Sequence, residues 1–589
     1  MNFVRACLFA VSSAVLAAIA LAFGLGGLDP RIARVSLGIG AAVAAWTFWR
    51  DRNRPSFRRR KLNVWEWATI ATFTLYSLRA FLWLIFINGD KVEVLQWNNM
   101  GDMSLHLTYI RELANGVHFW PANPIYTGAT LTYPIGVDLL HSLLFLAGAD
   151  LYRIFIWMGL IACLCTGLTL WRWGGAFVLA GFMFNGGLAG FLFFKNLTLD
   201  DYQRDLAWKS IPLTLFDTQR GLLFALPAGL LLLCSWRARF FGPPADRPDE
   251  KQGDILPWQG ELLLYAAMPV FHLHTFLFLS FMLLAWFIVH APARRKIAVL
   301  VAAALVPASA LVLLMTGFFR GPSVLGWLPG WMQTDADFLK ACEAHLGTTN
   351  ALVTFPVFWF VNFGVLPILA GLLVWRLAQN PRLVWARAVV FPALGIFLLC
   401  CFVRFAPWAW DNTKLMIWSY LAVLPFLWRR VVGKWPQWAA MLACVALFWS
   451  GFVSLLGGLD DPQHGYEIAT RTELDEVADA LHGIPVDARF VASPIWNHPL
   501  LLLGRQLVLG YRGHVWSHGY SYDEPLTKVE AVLDGDDGWR AAAHALGARY
   551  IFWGTRERDA YPDSKETWRN ETKIVASGAW GEIFDLGPP

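Results

Sequence analysis

The chain reads as a polytopic α-helical membrane protein: about 13 membrane-spanning helices, then a small C-terminal α/β domain outside the membrane. Three observations predict this class. Of 589 residues, 57% are hydrophobic and 15% are charged, whereas soluble domains run near about 45–50% and about 25%; mean hydropathy is +0.45. Apolar runs of roughly 18 residues or more recur along most of the sequence, each long enough to cross about 30 Å of hydrocarbon. In lipid the backbone must satisfy its own hydrogen bonds, so the runs are helices, whereas a β-barrel would show short alternating segments. Finally, there are 32 tryptophans. Many stand at the ends of apolar runs (Trp46, Trp49, Trp65, Trp67, Trp171, Trp173, Trp428, Trp435), as an interfacial aromatic belt requires.

The net charge of +5 is small and clustered, which argues against nucleic acid as a partner. Of the cysteines, Cys7, Cys163, Cys165, Cys234, Cys400, Cys401 and Cys444 lie in apolar runs. Only Cys342 is expected in a loop, so the pattern is neither a disulfide framework nor a zinc finger. The first run, Phe3–Phe23, resembles a signal peptide, but a second span follows at once and makes it a retained anchor.

Spans are expected near 3–24, 31–49, 65–88, 154–171, 176–194, 213–234, 259–272, 273–290, 297–318, 351–376, 387–406, 414–428 and 436–456. The positive-inside rule orients them. Arg50, Arg52, Arg54, Arg58, Arg59, Arg60 and Lys61 make the strongest basic loop, which is therefore cytoplasmic. The basic loops Trp236–Lys251, Ala291–Lys296, Arg376–Arg387 and Arg429–Lys434 share its side only if 259–290 crosses twice, turning at PVFHLHTF. The N-terminus is then inside and the C-terminus outside. Segments 89–153, 195–212, 319–350 and 407–413 face outward. Val137–Gly148 is too short to span and is expected along the membrane surface.

The organisation is thus 1–64, two helices and a basic cytoplasmic loop; 65–457, the main transmembrane domain with its long outer loop 89–153; and 458–589, a soluble α/β domain. In the last, Glu473–Leu481 and Gly538–Leu546 read as helices. Ala488–Ala492, Arg549–Trp553, Lys573–Ala576 and Glu582–Phe584 read as strands.

Several constellations carry possible chemistry. In NNMGDMSLHLTYI, Asp102 and His106 are four apart and share a helix face. A carboxylate beside an imidazole suits a general base or a divalent metal, and equally the polar face of an interfacial helix. Tyr133, Asp138 and His141 follow in the same loop, where Asp138 and His141 either cap the interfacial helix or join the site. His272 and His274 sit in apolar sequence, where ionisable groups face a cavity or partner; metal, phosphate and headgroup contacts are the readings. Near Arg404, the motif WDNTK opens a span: Asp411 or Asn412 can cap it, and Lys414 and Arg404 place positive charge where a lipid phosphate would sit. Asp217 and Arg220 are an acid and a base at the outer start of another span. In the soluble domain, Asn497, His498, Arg505, Tyr511, Arg512, His514, Trp516 and His518 suit sugar or headgroup recognition, or a packed interface with the membrane domain. Nearly all of these groups fall on the outer side of the expected topology, which points to one outward-facing cavity.

With GDMSLHLTYI, TYPIGVDLLH, FHLHTF and WDNTK in place, the chain resembles the GT-C superfamily of integral membrane glycosyltransferases, in an uncharacterised bacterial branch. The resemblance runs from about residue 65 to the end. It implies transfer of a sugar from a polyprenyl-phosphate-linked donor to a glycan, lipid or protein acceptor, at the outer face of the cytoplasmic (inner) membrane. The family's catalytic acid falls on Asp102, with His106 orienting it or sharing a metal. Arg404, Lys414, Asp411, Asn412 and Arg220 fall on the donor phosphate, Asp138, Asp217, His272 and His274 on accessory or metal roles, and Tyr133, Arg512, His514 and His518 on the acceptor side. A divalent metal (Mg or Mn) is the one cofactor the resemblance implies, though the family's paired acids are only loosely matched by Asp200 and Asp201. Two leading helices are an addition to the family pattern. The competing readings are a transporter or flippase of a lipid-linked glycan, which would line the mid-membrane with polar groups, and a non-catalytic scaffold in envelope assembly.

Overall fold

A computed structural model describes residues 1–52, 61–242, 255–321, 324–459 and 465–588. Arg54, Arg58, Arg59 and Arg60 of the basic loop lie outside the described residues, as do positions 243–251 of the next one. The chain is mostly helical. Among the described residues, seven helices are long and apolar enough to cross a membrane: Asn2–Leu25, Pro30–Asp51, Leu151–Gly174, Arg220–Phe241, Ala291–Met315, Ala409–Lys434 and Gln437–Leu459.

The difference from about 13 spans has identifiable causes. The run expected at 176–194 yields an α-helix of only eight residues, Ala176–Met183, about 12 Å long. The run at 351–376 is broken into Ala351–Phe363 and Leu366–Ala378, which meet at 88°. Gly364 at the break takes φ 57°, a left-handed conformation that a glycine adopts without strain. The helix expected over 65–88 stops at Leu82, and Phe86–Asn88 is already strand. Trp258–Phe271 and Leu273–Val289 are helices of 14 and 17 residues. They fold back on each other at His272, because Tyr265 Oη lies 2.8 Å from Ser280 Oγ across the turn.

Local chemistry sets the helix starts. Asp29 accepts from the Arg31 and Ile32 backbone N–H groups with Pro30 in the first turn, and Asn63 with Glu66 forms a reciprocal capping box. The first two helices pack closely because Gly40 lies against Ala10 and Ala14.

Two helices are buried almost all round. In both Arg220–Phe241 and Ala409–Lys434, 83% of the most apolar stretch is covered, against 28–50% in the other five. A helix apolar on every face belongs in the centre, and the starts of these two carry Arg220 and Lys414.

Gly221 lies against the turn at His272. A Cβ there would come 2.1 Å from the Phe271 carbonyl oxygen, so Gly221→Ala must push the turn away. The expected cost is about 1–3 kcal/mol or more, read as a lower thermal midpoint of the detergent-purified protein; an unchanged midpoint would refute this packing.

The C-terminal stretch builds a five-stranded mixed sheet in the order Gln506–Leu507, Arg489–Val491, Tyr550–Gly554, Gly581–Asp585, Lys573–Gly578. The first three strands are parallel, and Gly581–Asp585 runs antiparallel to both of its neighbours. Helices Arg471–Ala480, Asp523–Leu533 and Trp539–Ala545 complete it. Its first strand, Tyr466–Thr470, leaves this sheet and pairs with Lys91–Val94 of the first long loop. The two segments are stitched together elsewhere too. Leu507 N–H donates to the Pro124 carbonyl and Gly510 N–H to that of Ile125, and Tyr126 stacks on Tyr520 at 4.7 Å.

At this seam Glu112 is fully buried and accepts from Gln506 Nε2 at 2.9 Å. Burial pushes its carboxyl up to about 8. A carboxyl whose affinity for a proton is higher folded than unfolded stabilises the fold most at low pH, and that stability is lost as pH rises through about 8. Thermal midpoints should therefore fall between pH 6 and 9 in the native chain and fall distinctly less in Glu112→Gln; equal slopes would remove Glu112 as the cause.

Candidate functional site: a polar crevice at the helix starts

Asp102 lies in the first turn of the helix Asn99–Ala114, where the helix dipole favours a carboxylate. The side chain keeps some solvent access within crowded surroundings. Burial raises its carboxyl above the ordinary aspartate range, opposed by the positive fields of His106, Lys414 and Arg220. Those three groups and Asp411 are thus its electrostatic neighbours, and they come from three helices: Asn99–Ala114, Arg220–Phe241 and Ala409–Lys434.

His106, one turn on, does not pair with Asp102. Its Nδ1 lies 2.9 and 3.0 Å from the two Asp138 carboxylate oxygens, with both side chains nearly inaccessible. Asp138 therefore caps no helix; the Gly136–Leu146 helix begins without a side-chain cap. The carboxylate holds Nδ1–H and turns Nε2 away from itself, the orientation that makes an imidazole useful in proton transfer. Asp138 reaches His106 because its helix, expected along the membrane surface, instead packs into the protein: Gly136 permits contact with Phe271 and Val270. His141, on the same helix, is buried against Phe155 with no hydrogen-bond partner for either nitrogen among the described residues.

Arg220 is the first residue of its buried helix and is 1% exposed. None of its three guanidinium nitrogens has a hydrogen-bond partner among the described residues. Asp217, Asp138, Asp102 and Tyr133 surround it electrostatically. Asp217 itself accepts from Tyr76 Oη at 2.5 Å, which occupies it as a structural acceptor at the back of the crevice.

Lys414 pairs with Asp411 at 3.0 Å, so it is a neutralised pair rather than a lone cation. Both face His274 and His518. Tyr133 lies 5.9 Å from the His106 ring and 5.3 Å from that of His518. His514 approaches from the C-terminal stretch, its Nε2 only 3.3 Å from where a Gly101 Cβ would stand. Burial pushes the His514 imidazole down to about 3 and that of His518 down to about 4, so both are neutral at physiological pH.

Three residues expected in the site serve elsewhere. Asn412 neither caps the next helix nor faces the crevice. It accepts from Phe405 N–H and donates to the Cys400 and Val403 carbonyls, clamping the preceding loop. Arg404 lies in a two-residue strand against Gly326. Arg512 is exposed on the side of Tyr561. Thr275 and Trp418, absent from the sequence reading, belong to the site through His272: Trp418 Nε1 donates to Thr275 Oγ1, which lies 2.8 Å from His272 Nδ1. The histidine three residues before a threonine at a helix start was the readable signal.

Among the described residues, no group of three or more His, Cys, Asp or Glu side chains is placed to hold a metal ion. Asp200 and Asp201 close local turns, accepting from the Asp201 and Gln203 N–H groups respectively. As placed, these donors do not form the cluster of oxygen ligands that Mg or Mn takes.

Fold and site together describe a mostly helical protein with seven candidate membrane spans and a buried cluster of polar and charged side chains. Comparison with protein-family models and with curated proteins finds no match. Among solved structures the chain is similar to the Archaeoglobus fulgidus oligosaccharyltransferase. The apo crystal structure aligns over 83% of this chain and 69% of that one, at 10% identity and TM-score 0.46. The form tethered with an acceptor peptide containing the NVT sequon aligns over 88% and 74%, at 10% identity and TM-score 0.42. The complex with Zn and sulfate aligns over 85% and 70%, at 12% identity and TM-score 0.42. Likeness at this level defines neither a substrate nor the residues of a site.

Proposed function

We propose that the chain is a membrane glycosyltransferase that moves a sugar from a polyprenyl-phosphate-linked donor to a glycan, lipid or protein acceptor, at the outer face of the cytoplasmic membrane. The observation that carries this reading is Arg220, a buried guanidinium with no acceptor among the described residues, in the field of the Asp102 carboxylate. Leaving such donors buried and unmatched costs several kcal/mol, on the order of 1–3 per group and more for a charged one. An anionic ligand removes that cost, and a phosphate matches the planar fork of donors.

The acceptor hydroxyl gives its proton to Asp102 as its oxygen bonds to the anomeric carbon. The bond from that carbon to the phosphate oxygen breaks, and polyprenyl phosphate leaves with its negative charge against Arg220. The starts of the two central helices add their positive dipole ends there. His106, oriented by Asp138, presents Nε2 to the same crevice and takes part in the proton's passage. Tyr133, His514 and His518 line the acceptor side, and the C-terminal α/β domain lies outside the membrane and roofs the site.

The test is complementation of a deletion strain, with envelope glycans read by mass spectrometry. The deletion should lose a sugar modification that the native gene restores, and the missing mass names the sugar. If the deletion accumulates intact lipid-linked glycan on the inner leaflet instead, the protein is a flippase and the transferase reading is wrong.

A further inference from the structure

Three tryptophans meet beside the site, from two distant parts of the chain. Trp408 and Trp410 lead into the 3-10 turn Ala409–Asn412, and their ring centroids lie 4.9 Å apart at 36°. Trp516, on the short helix Arg512–Ser517 of the C-terminal stretch, brings its ring within 6.0 Å of Trp408 at 56°. Tyr511, just before that helix, meets His514 edge-on at 5.1 Å.

The rings divide into a fixed base and an open face. Trp410 is buried, its Nε1 donates to the Ala207 carbonyl at 2.8 Å, and Lys209 Nζ lies 5.6 Å from its ring centroid. Trp408 is half-buried, whereas Trp516 remains 47% exposed and Tyr511 37%. Tryptophans of an interfacial belt turn towards lipid headgroups. Trp408 turns instead to a ring of the C-terminal stretch, and Trp410 to a backbone carbonyl. Large aromatic side chains held on a rigid base are the usual anchors of a binding surface.

Both ends of this aromatic ridge reach the groups already described. His514 Nε2 stands 3.3 Å from where a Gly101 Cβ would be, and Gly101 immediately precedes Asp102. Trp410 immediately precedes Asp411, whose carboxylate holds Lys414 at 3.0 Å. A ligand lying on the exposed rings therefore has the Asp102 helix start at one edge and a charged pair at the other.

The chemistry of that surface selects among ligands. The face of an aromatic ring is electron-rich. A sugar ring offers it a face of C–H bonds made electron-poor by the neighbouring oxygens, and its hydroxyls, at the rim, meet the charged groups. A hydrocarbon chain would cover those charged groups without pairing them. An extended peptide takes its affinity from main-chain hydrogen bonds to a strand edge, and this ridge is built from a turn and a helix.

We propose that Trp408 and Trp516 form a stacking platform for the acceptor, and that the acceptor is a saccharide. This rests on the glycosyltransferase reading for there being an acceptor, while the platform itself is a matter of binding and is tested without turnover.

The experiment is saturation-transfer NMR on the full chain in lipid nanodiscs. The probes are linear trisaccharides of glucose, mannose, galactose and arabinose, with a short peptide containing NVT as the non-saccharide probe. The native protein should give a signal with at least one trisaccharide, concentrated on the C–H protons of one face of a ring. Trp516→Ala should raise the apparent Kd about tenfold, the order expected for losing one aromatic contact, and Trp408→Ala should weaken binding too. Trp516→Phe, which keeps an aromatic face, should stay closer to the native value. Trp516 is half exposed, so its variants should fold and decide the matter if Trp408→Ala does not fold. The proposal is overturned if no trisaccharide binds the native protein, if binding survives Trp516→Ala, or if Trp516→Phe loses as much as Trp516→Ala. It is also overturned if the peptide alone binds and Trp516→Ala abolishes this, which makes the acceptor a peptide. Trisaccharides that bind as expected while Asp102→Asn still restores the glycan in cells leave the platform standing and remove the transfer mechanism. Silent trisaccharides with an inactive Asp102→Asn do the reverse.

Discussion

Asp102→Asn is expected to abolish the glycan restored by the native gene while leaving the protein inserted and folded. The substitution keeps size and hydrogen bonding but removes the group that takes the acceptor proton, a contribution of about 10²–10⁴-fold. It also removes a crowded charge that His106, Lys414 and Arg220 only partly offset, so the thermal midpoint should not fall. Because burial holds the Asp102 carboxyl above its usual range, the acidic limb of the native rate profile should lie above ordinary aspartate titration. A base works deprotonated, so activity falls as pH drops through that point. An Asn variant of full activity would strike Asp102 from the mechanism, and an acidic limb at an ordinary aspartate value would contradict the burial described above.

Arg220→Met has the second largest expected effect and separates a ligand-binding arginine from a structural one. If the guanidinium waits for a phosphate, exchanging it for an apolar side chain removes uncompensated buried donors. Replacing buried charge in this way is often neutral or stabilising, by about 1–4 kcal/mol. Transfer should meanwhile fall by about 10²–10³-fold, the usual consequence of removing one group aimed at developing negative charge. Higher stability with lower activity is the pattern of a residue kept for function at the expense of the fold. A lower thermal midpoint with activity lost only in proportion would mean that Arg220 holds the carboxylates around it together.

The elements legible in the sequence are those set by local pattern. The first two helices, Leu151–Gly174 and Gln437–Leu459 fall within a few residues of the expected spans. In the C-terminal stretch, the helices at 471–480 and 539–545 and the strands at 489–491, 550–554, 573–578 and 581–585 stand where alternation and charge placed them. Span counting was less legible. An apolar run reads the same whether it crosses lipid as one helix or, as at 351–378, breaks at Gly364 and bends. Hydropathy measures composition over a window, while a bend needs one residue with a permissive φ and neighbours that cover the freed backbone.

The candidate site divides the same way. Residue chemistry singled out Asp102, His106, Arg220, His272, His274, Asp411 and Lys414, and these lie within one another's electrostatic reach. It misplaced partners. His106 looked bound to Asp102 by spacing, yet it is held by Asp138, 32 residues away. Asn412 looked like a cap and is a loop clamp. Spacing within one helix predicts which residues share a face, and it carries no information about what packs against that face.

The sequence by itself therefore determined that this is a membrane protein of many apolar helices, where its polar residues cluster, and where its C-terminal α/β elements begin and end. Those properties follow from hydrophobic length and period, which every segment carries alone. Only the tertiary structure decided that Arg220 is left without an acceptor among the described residues, that His106 is held by Asp138, and that Glu112 is sealed against Gln506. Each of these is a property of burial and of a hydrogen-bond partner contributed by a different part of the chain, and such a partner exists only after the chain has folded back on itself.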